Sequence, residues 1–359
     1  MLSDMKVLDF TSLLPGPFAT MMLGDLGAEI IKVESPYRVD LLQEEEPKIE
    51  NISVIYRMVN RNKKIIKLDL KKEESIKKIY QLISEFDVII EGFRPGVMTR
   101  LGLDYDSLNK INDKIIYCSL TGYGQYGSMS NRAGHDINYL ALSGLLSFSG
   151  KNDEVPHLNG IQIADLAGGS LHSVIGILSA YIHRQKTGLG QHIDVSMLDT
   201  TFSLSIFNVS KYLVNSILPT RGDNILNGGS LYDYYKTKDN RYLSIGSLEP
   251  KFQIQLYEGL QIESQPDELF DQDLKAIISN RIAEKSLEDW IKIFQNLDAC
   301  VEPVLNLDEV LKQQHFIDRN LIIPLVSSND QKIQQINHPV KYSKYKVEPK
   351  SLRFNQAED

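Results

Sequence analysis

The sequence predicts an α/β protein, with a large domain built on a parallel sheet flanked by helices and a smaller α+β domain after it. Three observations carry this. The chain has 359 residues, which exceeds the usual single-domain range. Short β-branched runs alternate with helical patterns through the first half, the signature of a helix-covered parallel sheet. The character then changes, with a hairpin pattern and clustered helices replacing the alternation.

In order, "KVLDF" (6–10) reads as the first strand and "GPFATMMLGDLGA" as the following helix, with Pro17 near its start and Gly27 near its end. "EIIKVES" is the second strand and "NKKIIKLDL" the third. The charged helix "KKEESIKKIYQLISEF" places Ile76, Ile79, Tyr80 and Ile83 on one face. "DVIIEGF" (87–93) and "KIIYCSLTG" (114–122) add two strands. "DLAGGSLHSVIGILSAYIHRQKTG" (165–188) reads as one long helix entered through Asp165 and closed by Gly188, and "GQHIDVSMLD" as a strand with alternating sides. Around "LYDYYKTKDNRYLSIGSLEP" a hairpin turns at Asp239-Asn240, and helical patterns surround Trp290. The expected division is a large domain over 1–200, a small α+β domain over 222–310, and a Lys- and Gln-rich segment over 311–359 that returns to the large domain.

Apolar residues make up 42% and charged residues 24%, ordinary figures for a globular protein. The net charge of −8 argues against nucleic acid as a partner, because a broad basic face is missing, while leaving room for a local basic pocket. No apolar run approaches the roughly 20 residues that span a bilayer, and the first residues do not read as a secretion signal. Cys118 and Cys300 both sit in apolar segments and read as buried free thiols. Cytoplasmic residence is the default expectation.

"GYGQYG" (122–127) fits the dinucleotide pattern G-x-G-x-x-G, but "SMSNRAG" after it opens no amphipathic helix, so no helix N-terminus is offered to a pyrophosphate. A glycine turn at a site is the better reading. The basic stretch "NRNKK" (60–64), Lys71 and Arg100 read first as solvated surface. Arg94 differs: it follows a strand end beside Pro95 and Gly96, where a held guanidinium suits an anionic group. In "RAGHDINYLALSG" (132–144), Gly134 gives room beside His135, and Asp136 can orient the imidazole. Asp165 reads either as a helix N-cap or as a carboxylate in a helix N-terminal field, with Gly168 and Gly169 clearing space. His135, Asp136, His157, Asp165 and His172 lack a compact metal-ligand spacing.

Taken together, "PGPFATMMLGDLGAEIIKVE", "EGFRPGVMTRLGL", "YCSLTGYGQYG", "AGHDINYLALSG", "ADLAGGSLHSVIGILSAYIHRQKTGLGQHIDVSMLD", "YLSIGSLEPKF" and "DACVEPVLNLDEV" resemble the class III CoA-transferase superfamily (CaiB/BaiF type), and within it the α-methylacyl-CoA racemases. The resemblance implies a Rossmann-like large domain, a small domain, and two ring-like chains interlocked as a homodimer, with acyl-CoA as the substrate. The Gly-His-Asp-Ile-Asn-Tyr motif of the racemases stands unchanged from Gly134 to Tyr139. The aspartate at Asp165 is shared with the transferases, where it is the nucleophile. Glu249 in "SLEP" resembles a further acidic racemase residue. CoA is implied along Leu68, Asp69, Leu70 and Lys71, at Gly92, Phe93, Arg94 and Arg100, and beside Gly134, Ile137, Asn138 and Tyr139. Where many racemases carry an arginine after the second strand this chain has Ser35, so Arg38 substitutes or the contact is lost.

The chemistry implied is inversion of the carbon α to a thioester. One face of that carbon loses a proton and the other gains one, which assigns His135 and Asp165 to opposite faces as acid and base, with Asp136 and Glu249 in support. Backbone N–H groups from Asp165 to Gly168 are the expected enolate donors. No redox or metal cofactor is needed, CoA being part of the substrate. The alternatives are CoA transfer to a carboxylate through Asp165, and a CoA-binding scaffold without turnover.

Overall fold

The computed structural model describes residues 1–152, 154–262, 272–326 and 330–349. Six short runs pair side by side as parallel strands: β1 (Lys6–Asp9), β2 (Glu29–Glu34), β3 (Lys63–Lys67), β4 (Val88–Glu91), β5 (Ile116–Thr121) and β6 (Gln191–Ser196). Their order is β3-β2-β1-β4-β5-β6, the doubly wound arrangement, in which ligands bind beyond the carboxyl ends where the winding reverses. Here the reversal lies between β1 and β4, in a register that sets Val7 between Ile30 and Val88. Every residue of β4 and β5 is buried, as expected of central strands covered on both faces.

Helix α1 (Pro15–Asp25) returns the chain from β1 to β2, its first-turn Pro15 and Pro17 supplying a preset φ where no N–H is needed. Helix α2 (Glu73–Ile83) buries Ile79 and Ile83 against Leu8, Ile89 and Tyr117, with Ile76 and Tyr80 packed at the margin. A short helix α3 (Asp136–Leu142) follows β5. The predicted long helix from 165 is two elements: a π-helical segment over Ala164–Leu171, then α4 (His172–Thr187), ended by Gly188 in the left-handed region at φ 79°. Single-turn π geometry inside helices recurs at functional sites. The strand expected over "GQHIDVSMLD" stops at Ser196, whose hydroxyl accepts the Asp199 N–H at 3.2 Å and caps α5 (Met197–Leu204).

The chain divides into two compact units. The first comprises Met1–Ser143, Asn159–Ser205 and the described residues from His315 on; the second comprises Gly144–Leu158 and Ile206–Gln314. The segment 144–158, expected in the large domain, goes to the second unit because Asn227 Nδ2 donates to Phe148 O at 3.2 Å and Arg221 donates to Glu154 O. The second unit holds an antiparallel sheet of β7 (Asp233–Lys236), β8 (Tyr242–Ile245) and β9 (Val301–Pro303), in order β9-β8-β7. Its hairpin turns with Asn240 at φ 61°, and its core is Leu243, Ile245, Leu256, Ile278 and a fully buried Trp290 that donates Nε1–H to Ile282 O at 2.8 Å.

Two expectations are corrected. Cys118 is buried, and burial pushes its thiol up to about 12, whereas Cys300 is exposed, because the backbone there sits at φ 51° with Ala299 and Val301 turned to the core. In "NRNKK", Asn60, Arg61 and Lys63 are 4% exposed or less. Arg61 pairs with Asp25 through both Nε and Nη2 and donates to Ile336 O, fastening the hairpin of Ile322–Val326 and Lys332–Ile336 to the end of α1 within the first unit. Among the described residues, no helix is long and apolar enough to cross a membrane.

Candidate active site

The carboxyl ends of β1, β4, β5 and β6 open into a cleft of about 380 Å³. Its walls come from the β1–α1 loop (Phe10 to Gly16), the turn Gly92–Pro95 after β4, Gly122 and Tyr123 after β5, Ala133 to His135, and Asp165.

His135 is the N-cap residue of α3, with extended backbone (φ −127°, ψ 174°) and an exposed ring. Its N–H donates to Asn138 Oδ1 at 3.0 Å, which fixes the residue at the helix mouth. Tyr139, buried one turn on, donates its hydroxyl to Gly134 O at 2.6 Å and packs edge-on to Tyr123 with ring centroids 5.2 Å apart. The space at Gly134 is therefore taken by protein: a Cβ there would meet Tyr123 Oη at 2.6 Å and Tyr139 Cε1 at 2.7 Å. The expectation that Gly134 makes room for a ligand is corrected to room for two tyrosines. Gly122 has the same duty, its absent Cβ falling 2.5 Å from Tyr139 Oη.

Asp165 is the second residue of the π segment and not an N-cap, Ile163 holding that place in helical geometry. Its N–H donates to Asp136 Oδ1 at 3.0 Å, so the Asp136 carboxylate is bonded to the Asp165 backbone. Burial and the Asp136 charge push the Asp165 carboxyl up to about 6, against the opposing pull of His135. A carboxyl in that range exchanges protons readily in either direction near neutral pH. Of the expected enolate donors, the Asp165 N–H is taken by Asp136 and the Leu166 N–H donates to Gln162 O at 2.9 Å, so both are withdrawn from that role. Gly168 and Gly169 likewise serve packing. A Cβ on Gly168 would lie 2.9 Å from Thr201 Oγ1, and one on Gly169 3.1 Å from Met197 Cγ, so they admit α5 to the π segment.

The other predicted residues divide. Gly92, Phe93 and Arg94 line the cleft, with the Phe93 N–H donating to Glu91 Oε2 at 2.8 Å. The buried Glu91 carboxyl is pushed up to about 7, mainly by desolvation. Arg100 is exposed on the short helix Val97–Leu101, its guanidinium 3.4 Å from where a Cβ on Gly96 would stand. Leu68 to Lys71 follow β3, two strands from β1, roughly 10 Å along the sheet. There Leu68 and Leu70 pack on the core, Asp69 turns the chain by accepting the Lys71 N–H at 3.1 Å, and Lys71 is exposed. Ile137 and Asn138 are exposed on α3. Ser35 accepts the N–H groups of Tyr37 and Arg38, both at 3.2 Å, leaving the Arg38 side chain exposed. Glu249 belongs to the second unit, as the N-cap residue of the helix Pro250–Leu260. Sequence reasoning missed the Thr11–Gly16 loop, Tyr123 and Arg132 as cleft residues. Only the general rule for carboxyl ends of parallel strands pointed to the first of these.

The fold and sequence have known relatives. The family model for CoA-transferase family III matches residues 2–353. Human alpha-methylacyl-CoA racemase is 37% identical over 331 residues, covering 90% of this chain and 82% of the relative. Human succinyl-CoA:glutarate CoA-transferase is 33% identical over 361 residues, covering 96% and 81%. The crystal structure of a CaiB/BaiF family protein from Brucella suis superposes with a TM-score of 0.84 at 28% identity, covering 98% of this chain and 94% of that one. With that match over nearly its whole length, and a doubly wound sheet shared with a solved member, the chain belongs to CoA-transferase family III.

Proposed function

We propose that this protein is a racemase or epimerase that inverts the α-carbon of 2-methylacyl-CoA thioesters through an enolate. The observation that carries the reading is the meeting of His135 and Asp165 at one cleft, with the Asp165 carboxyl poised near 6. An imidazole and a carboxyl at one cleft can exchange roles as acid and base, which inversion in both directions requires. Asp136 orients the Asp165 turn and helps to keep its pKa raised. The racemase relatives, human and mouse, each 37% identical, favour the same choice. No redox or metal group enters a proton transfer of this kind.

Elongated CoA would run from the cleft past Arg94 and Arg100 on one side and Leu68 to Lys71 on the other, with guanidinium groups meeting its phosphates. Glu249 would join as a further acidic group, and the chain would act as an interlocked homodimer. Helix Ile206–Asn215 supports pairing, since none of its residues is buried and Leu213 and Val214 are 76% and 88% exposed.

A second reading, CoA transfer to a carboxylate with Asp165 as nucleophile, is favoured by the transferase relatives that span 96% of the chain. The two separate in one experiment. A single epimer of a 2-methylacyl-CoA is incubated in deuterated water with and without an acceptor carboxylate. Deuterium at the α-carbon without acceptor, abolished by His135→Ala, is the racemase result. CoA appearing on the acceptor while His135→Ala stays active is the transferase result.

A further inference from the structure

One group of buried charges has no part in the chemistry above. Asp9, Lys32 and Lys63 are at most 4% exposed and stand behind the β1–α1 loop that walls the cleft. Asp9 accepts the Thr11 N–H at 2.9 Å, the Thr20 hydroxyl at 2.6 Å and Lys63 Nζ at 3.2 Å, and the Thr11 hydroxyl as well. Lys63 Nζ donates onward to Pro17 O at 3.0 Å and Asn60 Oδ1 at 2.9 Å, and Lys32 Nζ donates to Thr11 O at 2.7 Å. One carbonyl at the start of the loop and one in the first turn of α1 are thus each held by a lysine. Between them the chain is tight. Leu13 sits at φ 61° with its N–H donated to Asp40 Oδ2 at 3.0 Å, and a Cβ on Gly16 would collide with the Thr11 side chain at 2.3 Å.

The loop is joined to the reacting carboxylate by one side chain. The fully buried Ser170 hydroxyl is shared between Pro15 O at 2.6 Å and Asp165 O at 3.1 Å. A buried ion pair is a poor source of net stability and is often replaceable by apolar groups. What apolar groups cannot do is hold two main-chain carbonyls in fixed directions.

We propose that Asp9, Lys32 and Lys63 are positioning residues for Asp165, acting through the Thr11–Pro17 loop and the Ser170 hydroxyl. This rests on the reading of Asp165 as a reacting group, whether base or nucleophile. Misplacing a reacting group by about 1 Å costs on the order of 10²-fold in rate, and a loop held at the Thr11 and Pro17 carbonyls and bonded to the Asp165 carbonyl constrains displacements of that size. The device carries a pH signature. Burial pulls the Lys63 ammonium down to about 7, helped by the Lys32 charge and opposed by Asp9 and Asp40, the other groups around it being the neutral Thr20 and Asn60. Above that pH the Pro17 carbonyl loses its charged donor.

The test measures kcat, KM and their pH profiles for acyl-CoA turnover by the full chain. The variants are Ser170→Ala, Lys63→Met, Lys63→Arg and, as reference, Asp165→Asn, with CoA affinity by calorimetry and folded fraction by thermal melting. Ser170→Ala and Lys63→Met are expected to lower kcat per folded molecule by about 10²-fold with KM and CoA affinity unmoved. Lys63→Arg, which stays charged, should shift the alkaline fall in kcat to higher pH. If Lys63→Met does not fold, Ser170→Ala decides. An inactive Asp165→Asn beside a folded Ser170→Ala with wild-type kcat and pH profile overturns the inference alone. A fully active Asp165→Asn overturns the reading of the site and this inference with it.

Discussion

Replacing Gly134 by alanine adds one methyl group, yet it should disable the cleft. The new Cβ would stand 2.6 Å from Tyr123 Oη and 2.7 Å from Tyr139 Cε1, against an ordinary contact of 3.4 Å or more, so something must retreat by about 0.8 Å. Neither ring is free to swing away. Tyr123 and Tyr139 are 8% and 5% exposed, they pack on each other, and Tyr139 is bonded to the Gly134 carbonyl itself. Relief must come mainly from the backbone at Gly134, one residue before His135. Overpacking of this kind costs about 1–3 kcal/mol, a loss of a few degrees in melting temperature for a chain of this size. The same displacement carried to His135 lowers turnover by on the order of 10²-fold. Melting curves and kcat on the purified variant check both. A Gly134→Ala protein with wild-type Tm and kcat would show that the tyrosine pair does not set the position of His135.

Three further outcomes follow from named contacts. Asp136→Asn keeps an oxygen that can accept the Asp165 N–H but removes the charge that raises the Asp165 carboxyl; the acid limb of the kcat profile, now governed by a carboxyl near 6, should move to lower pH. Glu91→Gln tests proton linkage. The folded-state value of Glu91 lies above its unfolded one, so its stabilising contribution is complete below about pH 4.5 and is lost as pH rises through about 7. The variant should flatten that part of the stability profile, removing a dependence of up to about 3 kcal/mol measurable by denaturant titration. Trp290→Phe leaves Ile282 O without its indole donor inside a closed core. A loss of about 1–3 kcal/mol in the second unit is expected by calorimetry, from the lost indole hydrogen bond, for which the Lys285 N–H at 3.5 Å is a weak substitute, with the lost packing adding to it.

Much of the scaffold was legible because it obeys local rules. The strands at Lys6–Asp9, Val88–Glu91 and Ile116–Thr121 have apolar centres at Val7–Leu8, Val88–Ile90 and Ile116–Cys118, as a doubly covered sheet requires, and α2 announces itself by 3.6-residue periodicity. Turn chemistry was equally readable at Asn240 and Gly188, both in the left-handed region. The π segment was not readable, since nothing in "ADLAGGSL" separates a five-residue from a four-residue hydrogen-bond spacing; packing against α1 and α5 decides it.

The sequence by itself determined the alternation of strands and helices that a covered parallel sheet needs, because periodicity is a property of the chain read along its length, and the resemblance of its motifs pointed to the family. Only the tertiary structure decided what the residues at 135, 136 and 165 touch. It turned Gly134, Gly168 and Gly169 from ligand space into packing space, bonded Asp136 to the Asp165 backbone, and sank Lys63 behind the cleft. Charged side chains carry no mark of their burial along the sequence, for burial of Lys63 depends on Asp9, Asn60 and Pro17, partners 3 to 54 positions away that only folding brings within 3.2 Å.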